Sequence, residues 1–244
     1  MVGIDGSFLA AGAVVSLGAL IQSVTGFGFA MFAAPLLALV SPALVPVPIL
    51  ILTIVFTLGT VWEERRYIDW RGLGWILAGR LPLTGLAAVA MAFVSPTMIT
   101  IIFCVFVLVA VALSLNGVSI GVSRRNLLLA GAASGFFGTI TSIGAPPLAL
   151  VYQNQKGPMV RATLGANIVI GCTVSIAALA LTGKVTQTSL VVGLGYIPFA
   201  AIGYVIAGRI RQKLTDASFR KYLLLVTGAA TVLIGLKEIA QLAT

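Results

Sequence analysis

The sequence has no histidine, only six acidic residues in 244 and only two cysteines, and charged residues make up 9% of it. Each shortage excludes something. Without histidine the commonest general base and metal ligand is missing. Cys104 and Cys172 each sit in an apolar run with no partner at metal-ligand spacing. They build neither a zinc site nor a disulfide framework and read as small buried hydrophobes. A soluble domain is about 25% charged, and a chain with so few charges cannot cover a surface facing water. That excludes a soluble enzyme, a nucleic-acid binder and a disordered tail. What is present is hydrophobicity, 59% of all residues, and 15 Lys and Arg that bring the net charge to +9. These basic residues fall in short gaps between long apolar runs, the pattern of loops in a multi-spanning membrane protein. Residues 1–7 carry Asp5 and no basic residue. The apolar run that follows exceeds the ~7–15 residues of a signal peptide, so this segment is expected to stay in the mature protein.

Eight apolar blocks follow one another, at about 8–40, 43–62, 72–94, 97–115, 127–154, 161–182, 187–207 and 222–240. Six approach the ~20 residues that cross a bilayer core as helix. The blocks 8–40 and 127–154 are longer, and each is interrupted near its middle. The interruptions are Thr25-Gly26-Phe27-Gly28 and Thr141-Ser142-Ile143-Gly144-Ala145-Pro146-Pro147. They correspond at a constant offset of 116 residues, which also pairs Ser23 with Thr139, Pro42 with Pro158, Gly79 with Gly195 and Pro82 with Pro198. The chain therefore reads as two homologous membrane repeats, 1–116 and 117–244, forming one transmembrane domain.

Charge sets the topology. If every block crosses once, seven basic residues fall on each side, an even split that the positive-inside rule disfavours. If the two broken blocks each return to the side they entered, Arg65, Arg66, Arg71, Arg124, Arg125, Lys156, Arg161, Arg209, Arg211, Lys213, Arg220 and Lys221 share one face, against Lys184 and Lys237 on the other. Twelve against two places the basic loops in the cytoplasm and both termini outside. The two halves then lie in opposite orientations, an arrangement of many secondary transporters. The expected fold is an all-α integral membrane protein of two inverted-topology repeats, each with a broken re-entrant helical hairpin plus three transmembrane helices. The hairpin arms 8–24, 26–40, 127–140 and 145–154 span about 25, 22, 21 and 15 Å as helix, short of a ~30 Å core, so re-entrant hairpins with tips near the midplane are expected. The alternative is two extra pairs of thin, steep spans, which return the chain to the same side and give the same charge count.

A hairpin tip frees backbone groups that are tolerated in a membrane only against protein or a wet cavity. The second arm opening at Gly144, Ala145 and Pro146 predicts a helix N-terminus aimed at an anion, with Gly144 letting a ligand approach the backbone. Thr139, Thr141 and Ser142 offer hydroxyls at that tip, and Gln22, Ser23, Thr25, Gly26, Phe27 and Gly28 form the other. The alternative for these small residues is tight helix packing, as for Gly131 and Gly135. Arg80 lies deep in the third block, where no Asp or Glu accompanies it. An arginine inside a span faces a partner or an aqueous path, and a guanidinium matches an oxyanion; the alternatives are snorkelling to the cytosol or bonding exposed carbonyls. Its mate at the 116 offset, Tyr196, is expected to face the same cavity. Asn167, early in the sixth block, reads either as part of a polar path or as a helix–helix hydrogen bond. Phe27, Phe29, Trp62 and Trp75 read as packing, lipid-facing or interfacial residues.

The strings Gln22-Ser23-Val24-Thr25-Gly26-Phe27-Gly28 with Ala34-Pro35-Leu36-Leu37, and Gly135-Phe136-Phe137-Gly138 with Ser142-Ile143-Gly144-Ala145-Pro146-Pro147-Leu148-Ala149, resemble the two signatures of the sulfite exporter TauE/SafE family of membrane permeases. The second departs slightly, with Ala145 where the family usually has a second glycine. The resemblance implies an inner-membrane secondary transporter of small sulfur-containing anions such as sulfite, sulfoacetate or other organosulfonates. With no histidine and no intramembrane acid to relay protons, export is expected over uptake, with alternating access between the halves. An anion channel or a non-transporting membrane scaffold is the alternative of another class. No nucleophile–base pair or metal cluster appears in the sequence, so no enzyme activity and no cofactor are expected. The expected partners are a small anionic substrate and the lipid bilayer, with no nucleic acid.

Overall fold

The computed structural model describes residues 6–25, 28–116, 120–210 and 217–242, and all its regular structure is helical. The helices are α1 (Gly6–Thr25), α2 (Phe29–Val40), α3 (Val47–Glu64), α4 (Trp70–Phe93), α5 (Pro96–Leu115), α6 (Arg124–Thr141), α7 (Pro146–Tyr152), α8 (Gly157–Leu181), α9 (Gln187–Gly195), α10 (Ile197–Ile210) and α11 (Ala217–Leu242). Among the described residues six segments are long and apolar enough to cross a membrane: Gly6–Ser23, Val47–Tyr67, Trp70–Phe93, Pro96–Leu113, Gly157–Leu181 and Gln187–Gly208. The chain is a multi-pass, all-helical membrane protein.

Local chemistry sets the boundaries. Pro96, Pro146, Pro147 and Pro158 stand in first turns, where a missing N–H costs nothing. Ser95, Ser123 and Asp69 cap α5, α6 and α4 by accepting from Met98 N, Asn126 N and Gly72 N. Thr186 and Ser189 form a reciprocal capping box on α9. Tyr196 separates α9 from α10, because Pro198 offers no N–H to the carbonyl of Leu194.

The two broken blocks are less even than their sequence suggested. Their first arms, α1 with 20 residues and α6 with 18, extend about 30 and 27 Å. Their second arms are shorter than expected: α2 has 12 residues and α7 only 7, about 18 and 10 Å. Alone, α7 cannot cross a ~30 Å core. Pro146 starts it, and a turn at residues 153–156 leads directly into α8.

Packing pairs exchange when 116 residues are added or subtracted. Helix α4 lies on α6, and α10 lies on α1; α4 lies on α8, and α9 and α10 on α3. Helices α3 and α8, mates of each other, pack together, as do α5 and α11. Glycines let α4 and α6 approach closely: a Cβ at Gly131 would stand 2.1 Å from the Ile76 carbonyl oxygen, one at Gly79 2.1 Å from that of Leu128, and one at Gly135 2.3 Å from that of Arg80. Gly203 meets the Ser16 carbonyl in the same way where α10 crosses α1.

At the end of the bundle where the α3–α4 turn lies, Asp69 joins three elements. Its Oδ1 caps α4, its Oδ2 accepts from the fully buried Tyr152 hydroxyl at 2.9 Å, and its N–H donates to Thr163 Oγ1 at 2.9 Å. Beside it Arg161 of α8 makes a two-pronged ion pair with Glu64 of α3. Asp69→Ala removes the cap and strands the Tyr152 hydroxyl, losses of about 1 and 1–3 kcal/mol. It is expected to lower the unfolding temperature in detergent by more than Tyr152→Phe does, and an unfolding temperature equal to wild type would refute the clamp. Trp62 and Trp70 are largely exposed at this end, with Arg65 stacked 4.4 Å from the Trp62 ring and Arg124 3.8 Å from that of Trp75. Phe29, by contrast, is wholly buried against Phe56.

Candidate functional site

Both broken blocks and α4 converge on one small cavity. Its lining comprises Gln22, Gly28, Ala30 and Met31 from the first block, Gly138, Ser142, Ile143, Gly144 and Ala145 from the second, Thr53 from α3, Arg80 from α4, and Ile168 and Cys172 from α8. Its volume of about 30 Å³ is room for roughly two waters.

Arg80 supplies the charge. It is 2% exposed, so it does not snorkel to the cytosol. Its Nη1 donates to Ser134 Oγ at 2.9 Å, and its Nε is buried without an acceptor. Among the described residues it has no ion pair. Gly171 makes room for it, since a Cβ there would sit 1.9 Å from the guanidinium carbon. The cation is held by side-chain shape and one neutral hydroxyl, which leaves most of its hydrogen-bonding capacity unspent.

The tips themselves are built differently from each other. At the first, Gln22 is 3% exposed and bridges two elements: its Oε1 accepts from Phe29 N at 3.0 Å, capping α2, and its Nε2 donates to Thr57 Oγ1 at 3.1 Å. Gly28 precedes α2 at φ 121°, a conformation that side-chain-bearing residues resist. With the Phe29 amide taken, Ala30 and Met31 carry the first-turn N–H groups that lack intrahelical acceptors beside the cavity. At the second, Ser142 ends α6 in the left-handed region at φ 65° and donates to the Pro46 carbonyl at 3.0 Å. Left-handed backbone costs a non-glycine residue about 1–2 kcal/mol, and this bond offsets part of it.

The expected site residues divide. Gln22, Gly28, Arg80, Ser142, Gly144 and Ala145 line the cavity. Ser23, Thr139 and Thr141 do not: each donates to the carbonyl four residues earlier, those of Ala19, Gly135 and Phe137. Thr139 also meets Ser175 Oγ at 2.8 Å, and Thr141 accepts from Ile143 N. Tyr196 lies elsewhere, stacked 4.8 Å from Phe8 in the core between α1 and α10. The helix N-terminus expected at Pro146 is a poor anion site, because α7 opens with two prolines and so lacks N–H groups at its first two positions. Gly144 serves packing more than ligand approach: a Cβ there would meet the backbone and side-chain oxygens of Ser134, each at 2.9 Å. Thr25 ends α1, and Gly26 and Phe27 lie outside the described residues.

Sequence reasoning missed Thr53, Gly138, Gly171 and Cys172. Gly138 stands in the quoted second signature and is the repeat mate of Gln22, which was the available signal; the others carry none beyond being small or polar in mid-span. Asn167 makes no helix–helix hydrogen bond. The side-chain atoms buried without a partner among the described residues are Arg80 Nε, Thr84 Oγ1 and both polar atoms of Asn167, all on α4 and α8, which pack together. No cluster of three or more potential metal ligands occurs among the described residues.

A family model described as Sulfite exporter TauE/SafE matches residues 9–234. Neither a curated protein nor a solved structure matches the chain.

Proposed function

The chain belongs to the sulfite exporter TauE/SafE family, and from that membership we propose that it exports small sulfur-containing anions across the inner membrane as a secondary transporter. The substrate class is sulfite, sulfoacetate or another organosulfonate. The observation that carries this reading is Arg80, a buried cation without an acidic partner among the described residues, facing a cavity between the two broken blocks. A bound oxyanion supplies the missing counter-charge and the missing acceptor at Nε.

The halves 1–116 and 117–244 act as inverted repeats that alternate access to this site. The exchange of packing pairs at the 116 offset supports that reading, as does the shortness of α7. The basic loops face the cytoplasm and the termini face outward, on the twelve-to-two charge count. Export needs no proton relay, since a negative-inside potential favours anion exit by about 2.3 kcal/mol per charge per 100 mV. The reading asks for no catalytic chemistry, cofactor or nucleic acid; lipid and the anion are its partners.

Flux of labelled sulfite, sulfoacetate and sulfate in liposomes containing the purified protein tests this. Saturation and counterflow are expected with at least one sulfur anion. Flux that stays linear with concentration would make the protein a channel, and none above empty liposomes a scaffold.

A further inference from the structure

The two basic residues that the charge count places on the face opposite the cytoplasmic set line one cavity. Lys184, in the turn between α8 and α9, and Lys237, on α11, are both exposed, and both line a second cavity of about 380 Å³. Neither has an ion-pair partner among the described residues. Glu238 lines the same cavity, leaving its ionised side chains at a net single positive charge. The inner wall includes Pro46 and Ile140. Two residues beyond Ile140 is Ser142, which lines the Arg80 cavity and donates to the Pro46 carbonyl. The larger cavity and the Arg80 site are thus separated at this point by a hairpin tip and one hydrogen bond.

We propose that this cavity is an extracytoplasmic anion vestibule, in which Lys184 and Lys237 hold a small oxyanion at the mouth of the route to Arg80. The proposal rests on the orientation and the anion substrate of the preceding reading. Lysine is depleted on the outer side of membrane proteins, so two in one cavity, on elements far apart in sequence, point to a local use. Charge inside a concave, largely apolar wall acts at long range, because low-dielectric surroundings focus its field. The vestibule is wider than the Arg80 cavity, so it accepts the anion still partly hydrated and sets its local concentration rather than its chemical identity. Glu238 opposes the lysines and limits how tightly an anion is retained.

Counterflow in right-side-out membrane vesicles preloaded with sulfite tests the proposal, with labelled sulfite added outside. Lys184→Gln/Lys237→Gln is expected to raise the half-saturating external concentration about threefold to tenfold at about 20 mM salt, with the maximal rate unchanged. At about 500 mM salt the difference is expected to vanish by screening. Glu238→Gln is expected to shift half-saturation the opposite way, which no general loss of packing would do. Half-saturation unchanged in the lysine variant, a shift that persists at high salt, or a Glu238→Gln shift that is absent or of the same sign would each overturn the vestibule. Absence of saturable sulfite, sulfoacetate and sulfate flux in the wild type would instead overturn the transport reading beneath it.

Discussion

Replacing Arg80 by glutamine is expected to weaken anion binding about 100-fold or more while the protein stays folded. Removing one member of a buried charge pair costs about 3–5 kcal/mol, and each 1.4 kcal/mol is tenfold in affinity. With the site empty the sign reverses. The guanidinium is then a buried cation with one orphan N–H and a single hydroxyl acceptor, and such groups lower stability. Arg80→Gln is therefore expected to unfold at or above the wild-type temperature in detergent without ligand, and to lose the rise that sulfite gives the wild type. Arg80→Lys keeps the charge but loses the planar fork, and about tenfold weaker binding is expected. Isothermal titration with sulfite, sulfoacetate and sulfate checks the two affinities, and thermal unfolding in detergent with and without sulfite checks the stability. Wild-type affinity in the glutamine variant would remove Arg80 from the site.

The second large effect is expected where no polar side chain is replaced. Gly131→Ala places a methyl group 2.1 Å from the Ile76 carbonyl oxygen, and backbone on the opposing helix cannot rotate away as a side chain does. Helices α4 and α6 must separate, at a cost of about 1–3 kcal/mol or more for overpacking. The same displacement moves Arg80 away from Ser134, because both groups stand on the separated helices. A marked fall in unfolding temperature together with reduced flux is expected. Gly74→Ala is the control. It lies on α4 with nothing within 4 Å of the added carbon, and the helix gains up to about 1 kcal/mol from losing a glycine. Equal stability of the two variants would show that the close crossing does not hold the bundle together.

Much of the architecture was legible because the bilayer constrains it so narrowly. Long apolar runs must be helical when no water is present to satisfy the backbone, and their lengths are set by the thickness of the core. The blocks 72–94 and 161–182 accordingly match α4 and α8 closely. The arms of the broken blocks were harder to read. Hydropathy does not distinguish helix from an apolar turn, so the sequence understated the contrast between α1 and α2, and between α6 and α7, which have 20, 12, 18 and 7 residues.

The candidate site was legible only in part: Gln22, Gly28, Arg80, Ser142, Gly144 and Ala145 line the cavity, while Ser23, Thr139, Thr141 and Tyr196 do not. Arg80 declared itself, since an arginine in mid-span needs a reason wherever it points. Ser23, Thr139 and Thr141 did not declare that they satisfy themselves on their own helices. A hydroxyl in an apolar helix can bond back to the carbonyl four residues earlier, as all three do, and only the arrangement of neighbours says whether it meets a second partner, as Thr139 does at Ser175. Tyr196 does not join Arg80 for a related reason: the repeat preserves backbone position, whereas the neighbours that Tyr196 meets are Phe8 and Phe199. By itself the sequence determined that this is a helical membrane protein with an arginine in mid-span, because those follow from hydrophobicity and the position of one charge. The folded chain decided which polar groups surround that arginine, because rotation about a helix axis is set by packing, and packing is a property of pairs of helices rather than of any one segment.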